Sequence, residues 1–208
     1  MGNRKRFRAE TTIKMAILRV AQRLAERGWC MGSSGNISAL MQNTGHIYIK
    51  ATGRSMGSLR SSDLLLVDMD GKVIKGSGRP SEEIGLHLGI YRTRADVGGV
   101  IHTHSPFATA YAVAGLKLPI LTAPASYLLK EAPLIPFAPP GSKKLAAWVA
   151  KAFSHNHVRA ALLERHGVVA TGRDIDEAYD AAEWVEDAAK VAALASWIKV
   201  GRGSHPLR

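Results

Sequence analysis

One cysteine in 208 residues, Cys30, leaves no partner for an intramolecular disulfide, so a cystine-stapled secreted fold is excluded and a reducing cytoplasm is the expected location. Long apolar runs are missing too: even Leu64-Leu65-Leu66-Val67 stops at Asp68, far short of the roughly 18 residues of a membrane span. The basic opening from Met1 to Arg8 has no apolar stretch behind it, so no signal peptide is expected and residues 1–9 read as a flexible basic tail. Acidic residues are few, 17 against 28 Lys and Arg, for a formal net charge of +11. Charged residues still make up only 22% of the chain and no long polar tract occurs, which excludes an intrinsically disordered chain. The basic residues are scattered rather than interleaved with aromatics on one element, so neither a nucleic-acid nor a membrane partner is expected.

What is present suffices for a core. Hydrophobic residues at 46% of a chain this long predict one globular domain over 1–208, with 202–208 as a polar C-terminal tail. Ile13, Ala16, Ile17, Val20, Ala21 and Leu24 recur at helical spacing, with Thr11 or Thr12 placed to cap the helix and Gly28 to end it. Short strands are expected over 37–40 and 46–50. Leu64–Asp68 and Lys72–Lys75 read as a hairpin across Asp70-Gly71. Ser81 opens a helix after Pro80. Gly99–His104 is a β-branched strand, followed by a helix over 105–115, two short strands within the Pro-rich 118–140, and a helix over 143–153. Strands over 160–164 and 168–171 precede a final long helix from about Asp174. Interleaved helices and hairpins predict a single α/β domain with a central, mainly antiparallel sheet covered by helices.

Candidate chemistry begins at His102-Thr103-His104. Residues two apart on a strand point to one side, so both imidazoles can face one point, as zinc requires of its ligands. The same pair also fits one core and one loop histidine. His155-Asn156-His157 lies in a polar connection and reads as surface. His166, beside Gly167 between two apolar runs, needs a buried partner or a function, and as a third ligand it would complete an open metal site. Glu83, expected in a first helical turn, suits the macrodipole there or serves as an acid/base. Gly32–Asn36 and Ala51–Ser55 are small-residue loops, the material of an anion-binding nest.

Taken in order, Gly32–Ser38, Thr52-Gly53, Pro80-Ser81-Glu82-Glu83 followed by His87, Val100–His104 and Arg165-His166-Gly167 resemble the class II aldolase family, over nearly the whole chain. The resemblance implies zinc-dependent aldol cleavage of a deoxyketose 1-phosphate of the L-fuculose 1-phosphate type, giving dihydroxyacetone phosphate and an aldehyde such as L-lactaldehyde. It also implies a homotetramer with sites at subunit interfaces and one Zn2+ per subunit, held by His102, His104 and His166. Glu83 falls on the catalytic acid/base. Asn36, Thr52, Gly53 and Ser81 fall on positions that bind substrate phosphate, with Ser33 added to them.

Two departures stand out. The second serine of the family's phosphate loop is Glu82 here, an anion beside an expected anion, with Arg54 or Arg79 as the nearest candidates to supply charge. The family's tyrosine from the neighbouring subunit has no counterpart in 121–123, and Tyr127 is the candidate proton donor. Rivals on the same fold are methylthioribulose-1-phosphate dehydratase, which keeps the glutamate and the His-Thr-His-Ser run, and sugar-acid phosphate decarboxylases, which share a Pro-Pro-Gly like Pro139-Pro140-Gly141. A non-catalytic module like the adducin head lacks the metal histidines, which are intact here.

Overall fold

Leu64–Val67 and Ala160–Leu163 are buried at every position, which only a sheet covered on both faces can achieve. In the computed structural model, which describes residues 2–42 and 44–201, that sheet is formed by β1 (Asn36–Met41), β2 (His46–Lys50), β3 (Leu64–Val67), β4 (Val73–Lys75), β5 (Gly99–Thr103), β6 (Leu134–Ile135), β7 (Ala160–Leu163) and β8 (Gly167–Gly172). The strand order is β4-β3-β2-β1-β5-β8-β7-β6. Every described pairing is antiparallel except β6 with β7, so the sheet is mixed and mainly antiparallel.

Period-two alternation divides the strands between two cores. Ile37, Ala39, Tyr48, Leu66, Ile101 and Ala170 face one side, packed under α1 (Gly2–Glu26), α3 (Pro106–Val113), α4 (Ala123–Leu129) and α6 (Ile175–Gly201). Ile47, Ile49, Leu65, Val100, Ala161 and Val169 face the other, under α2 (Ile84–Thr93) and α5 (Lys143–Phe153). Each fully buried Leu, Val or Phe in these layers contributes about 1.5–3 kcal/mol. No helix among the described residues is long and apolar enough to cross a membrane.

Helix starts follow local chemistry. Ser142 caps α5 by accepting from Leu145 N at 3.1 Å. At α3, Pro106 occupies the first turn and the cap comes from elsewhere: the Glu186 carboxylate on α6 accepts from Phe107 N at 3.0 Å and Ala108 N at 2.9 Å. In the β3–β4 hairpin, Asp68 Oδ1 accepts from Asp70 N and Lys72 N, both at 2.9 Å, and Gly71 takes φ +82°.

Several expectations need correction. The first helix does not start at Thr11 or Thr12: the stretch read as a flexible basic tail over 1–9 is helical from Gly2, and the Thr11 and Thr12 hydroxyls donate back to Phe7 O and Arg8 O at 3.0 Å. The two strands expected within 118–140 are one helix and one two-residue strand. Thr122 caps α4 and Pro124 lies in its first turn, a helix-start signal hidden by the Pro-rich composition. The helix expected from Ser81 begins at Ile84, which moves Glu83 to its N-cap. The polar tail over 202–208 lies outside the described residues.

Candidate active site

The starts of β1 and β8 and the ends of β2 and β5 meet at one end of the sheet's central strands. β5 presents His102 on the face of Val100, toward α2, and pairs His102 with Asn36 of β1 and Val169 of β8. His166 is set by the β7–β8 turn, where Arg165 takes φ +57° and His166 N donates to Leu163 O at 3.0 Å. The ligand nitrogens of His102, His104 and His166 lie within 4.8 Å of one another. His102 Nε2 and His104 Nε2 are 3.0 Å apart, near the roughly 3.3 Å implied by two nitrogens at about 2.05 Å from a tetrahedral zinc.

The protonation pattern suits a metal. His102 Nδ1–H donates to Val168 O at 2.9 Å, which leaves the Nε2 lone pair aimed into the cluster. Burial, with repulsion from His166 and His104, holds the His102 pKa well below the ordinary value; burial and His166 lower that of His104. Neutral imidazole is the form that ligates. His166 Nδ1 is buried and meets no hydrogen-bond partner among the described residues.

Glu83 closes the group. Its Oε2 is 3.3 Å from His102 Nε2 and accepts from Asn36 Nδ2 at 2.8 Å; its Oε1 is 3.6 Å from His166 Nε2 and accepts no hydrogen bond from a described residue. A cavity of about 190 Å³ opens beside Glu83 and His104. Ser33, Asn36, Thr52, Gly53 and Ser81 all line it, so five positions drawn from three separate segments converge. Tyr127 does not join them within one chain: it stands on α4, 83% exposed. His155 and His157 are exposed, and His157 pairs with Glu131 at 2.7 Å, as a surface pair should.

Sequence reasoning missed Lys50. This lysine is 2% exposed and lines the cavity, its ammonium donating to Ser33 O at 2.8 Å and Arg54 O at 2.6 Å. Burial lowers its pKa. Of the two arginines considered instead, Arg79 is exposed and Arg54 pairs with Asp63 at 3.2 Å. The signal was a lysine ending an otherwise inward-facing strand, directly before the Ala51-Thr52-Gly53 loop. Glu82 also lines the cavity, but its side chain is exposed.

The three histidines approach closely because Gly167 has no side chain. A Cβ there would lie 2.4 Å from Thr103 O and 2.7 Å from His104 Cδ2. Gly167→Ala is therefore expected to lower Tm by about 2–12 °C, from about 1–3 kcal/mol of overpacking, and to weaken metal retention by displacing His104. Thermal denaturation and metal analysis of the purified variant check both effects; an unchanged Tm and metal content would show that the strands simply move apart.

The family described as class II aldolase and adducin N-terminal domain matches residues 15–193. An L-fuculose phosphate aldolase from Methanococcus maripaludis is 33% identical over 182 residues, covering 88% of this chain and 97% of the relative. A 5-deoxy-D-ribulose 1-phosphate aldolase from Bacillus thuringiensis is 30% identical over 175 residues, covering 84% and 81%. Among solved structures, an L-fuculose 1-phosphate aldolase superposes with a TM-score of 0.82 at 29% identity, covering 94% of this chain and 89% of the other.

Proposed function

Because the chain belongs to the class II aldolase family and is a lyase, we propose that it cleaves a deoxyketose 1-phosphate of the L-fuculose 1-phosphate type to dihydroxyacetone phosphate and an aldehyde such as L-lactaldehyde. The observation that carries this is the placement of Glu83 between three converging histidines and a cavity with a buried ammonium, Lys50, in its wall.

His102, His104 and His166 would hold one Zn2+ per subunit, and three neutral ligands would leave it a net positive charge to stabilise the negative charge that develops on cleavage. The substrate phosphate sits among Ser33, Asn36, Thr52, Gly53 and Ser81, with Lys50 as its nearest buried cation. Glu83 takes the proton of the C4 hydroxyl as the C3–C4 bond breaks. The electron pair of that bond remains on the three-carbon phosphate fragment, and Glu83 returns a proton to its C3. The chain assembles as a homotetramer in the cytoplasm, and Tyr127, an exposed phenol on α4, is the proton donor at the neighbouring subunit's site, relaying the C4 hydroxyl proton to Glu83 on cleavage and back to the aldehyde oxygen on condensation.

Incubating zinc-loaded protein with L-fuculose 1-phosphate, D-ribulose 1-phosphate and 5-methylthioribulose 1-phosphate tests the proposal, with dihydroxyacetone phosphate release and product mass as readouts. Release from one of the first two, abolished by a chelator, is expected. Loss of water without carbon–carbon cleavage would instead make the protein a dehydratase. Inactivity on all three would point to an acidic or unphosphorylated substrate excluded or selected by Glu82.

A further inference from the structure

A polar seam between α2 and the sheet runs on from Glu83 and Asn36 into groups that reaction does not use. Glu83, His87 and Tyr91 recur every four residues along α2, about 6 Å of rise per step, while Asn36 and Ser38 recur every two along β1, about 6.6 Å per step. The two ladders therefore stay in step and meet rung by rung. Tyr91 OH lies 2.9 Å from Ser38 Oγ and 3.1 Å from Ser38 O. Ser38 Oγ lies 2.7 Å from His87 Nδ1, His87 Nε2 bonds Asn36 Oδ1, and Asn36 Nδ2 reaches Glu83 Oε2 at 2.8 Å. Ser38 and His87 have no solvent exposure.

The directions along this chain from Glu83 to Ser38 follow from which atoms can donate. An ionised carboxylate only accepts, so Asn36 turns its amide nitrogen to Glu83 and its oxygen to His87. That oxygen only accepts, so His87 carries its proton on Nε2. Burial holds His87 neutral, its pKa pushed down to about 3, and Nδ1 accordingly accepts the Ser38 hydroxyl proton. Tyr91 then donates to Ser38. Without His87, the Asn36 oxygen loses its donor and the amide is held in this orientation by Glu83 alone, so it no longer fixes Oε2 from a rigid support.

We propose that His87 is a positioning residue for Glu83: its Nε2–H locks the Asn36 amide, Asn36 pins Oε2, and Oε1 is left as the oxygen that exchanges the proton with substrate, a role that rests on Glu83 being the acid/base proposed above. Two-bond 1H–15N correlation spectra of the wild-type protein report the tautomer without substrate. A protonated Nε2 and unprotonated Nδ1 are expected for His87, and the reverse would overturn the lock whether or not the protein cleaves a ketose phosphate. Wild-type protein with this tautomer but no cleavage of any ketose phosphate would refute the assigned reaction and leave the lock standing. In the active enzyme, His87→Leu is expected to lower kcat by about 10- to 100-fold, with KM within about threefold, because Ser81, Thr52 and Lys50 still face the phosphate. His87→Gln restores one N–H toward Asn36 and is expected to regain most of kcat. A folded Leu variant with wild-type kcat, or a raised KM at unchanged kcat, would overturn the role.

Discussion

Glu83→Gln is expected to lower kcat for ketose-phosphate cleavage by about 10²–10⁴-fold, the range ordinarily contributed by a positioned general acid–base group. Gln is isosteric and can still accept the Asn36 Nδ2 hydrogen bond through its amide oxygen, so the seam is retained, and the Glu83 side chain makes no capping bond to α2 that could be lost. What is lost is the ability to hold and return a proton. Because His102, His104 and His166 are untouched, the variant is expected to bind metal as the wild type does, with an unchanged Tm. Steady-state kinetics with metal analysis on the same preparation check this, and full cleavage by the variant would refute the role of Glu83.

The second large effect falls on the metal. His104→Ala is expected to weaken zinc retention by more than about 100-fold, since second-shell partners of a ligand alone are worth about 10–100-fold. Two imidazoles, His102 and His166, make a poor site without the nitrogen that lies 3.0 Å from His102 Nε2. Dialysed variant protein should hold far less than one zinc per chain, and cleavage should fall with it. The pair of variants separates the roles: Glu83→Gln keeps the metal and loses proton transfer, while His104→Ala loses both. Zinc retained by His104→Ala at wild-type affinity would place the metal elsewhere.

Much of this site is legible locally. Strand alternation points His102 and His104 to one side, and their Nε2 atoms do meet although His104 lies one residue past the end of β5, while Ser142 and Asp68 announce their cap and turn through their own side chains. Glycine-bounded and apolar runs likewise mark β5, β7 and β8 to within a residue or two. Local patterns failed where two signals competed. Pro-rich composition concealed the Thr122-capped helix, and the helical periodicity of 13–24 said nothing about how far α1 runs toward Gly2.

Residue order along the chain determined which groups are available and which neighbours must converge: the histidine pair, the hydroxyl-rich loops, and a carboxylate four residues before a histidine on one helix. Tertiary structure alone decided that Asn36 meets Glu83 across 47 residues and His87 across 51, that His102 finds its carbonyl 66 residues away, and that Lys50 is buried in the cavity wall rather than solvated. The physical reason is the strand order, which inserts β5 between β1 and β8. Such non-consecutive pairings form because both faces of the assembled sheet are buried, and that burial is a property of the whole chain, not of any segment within it.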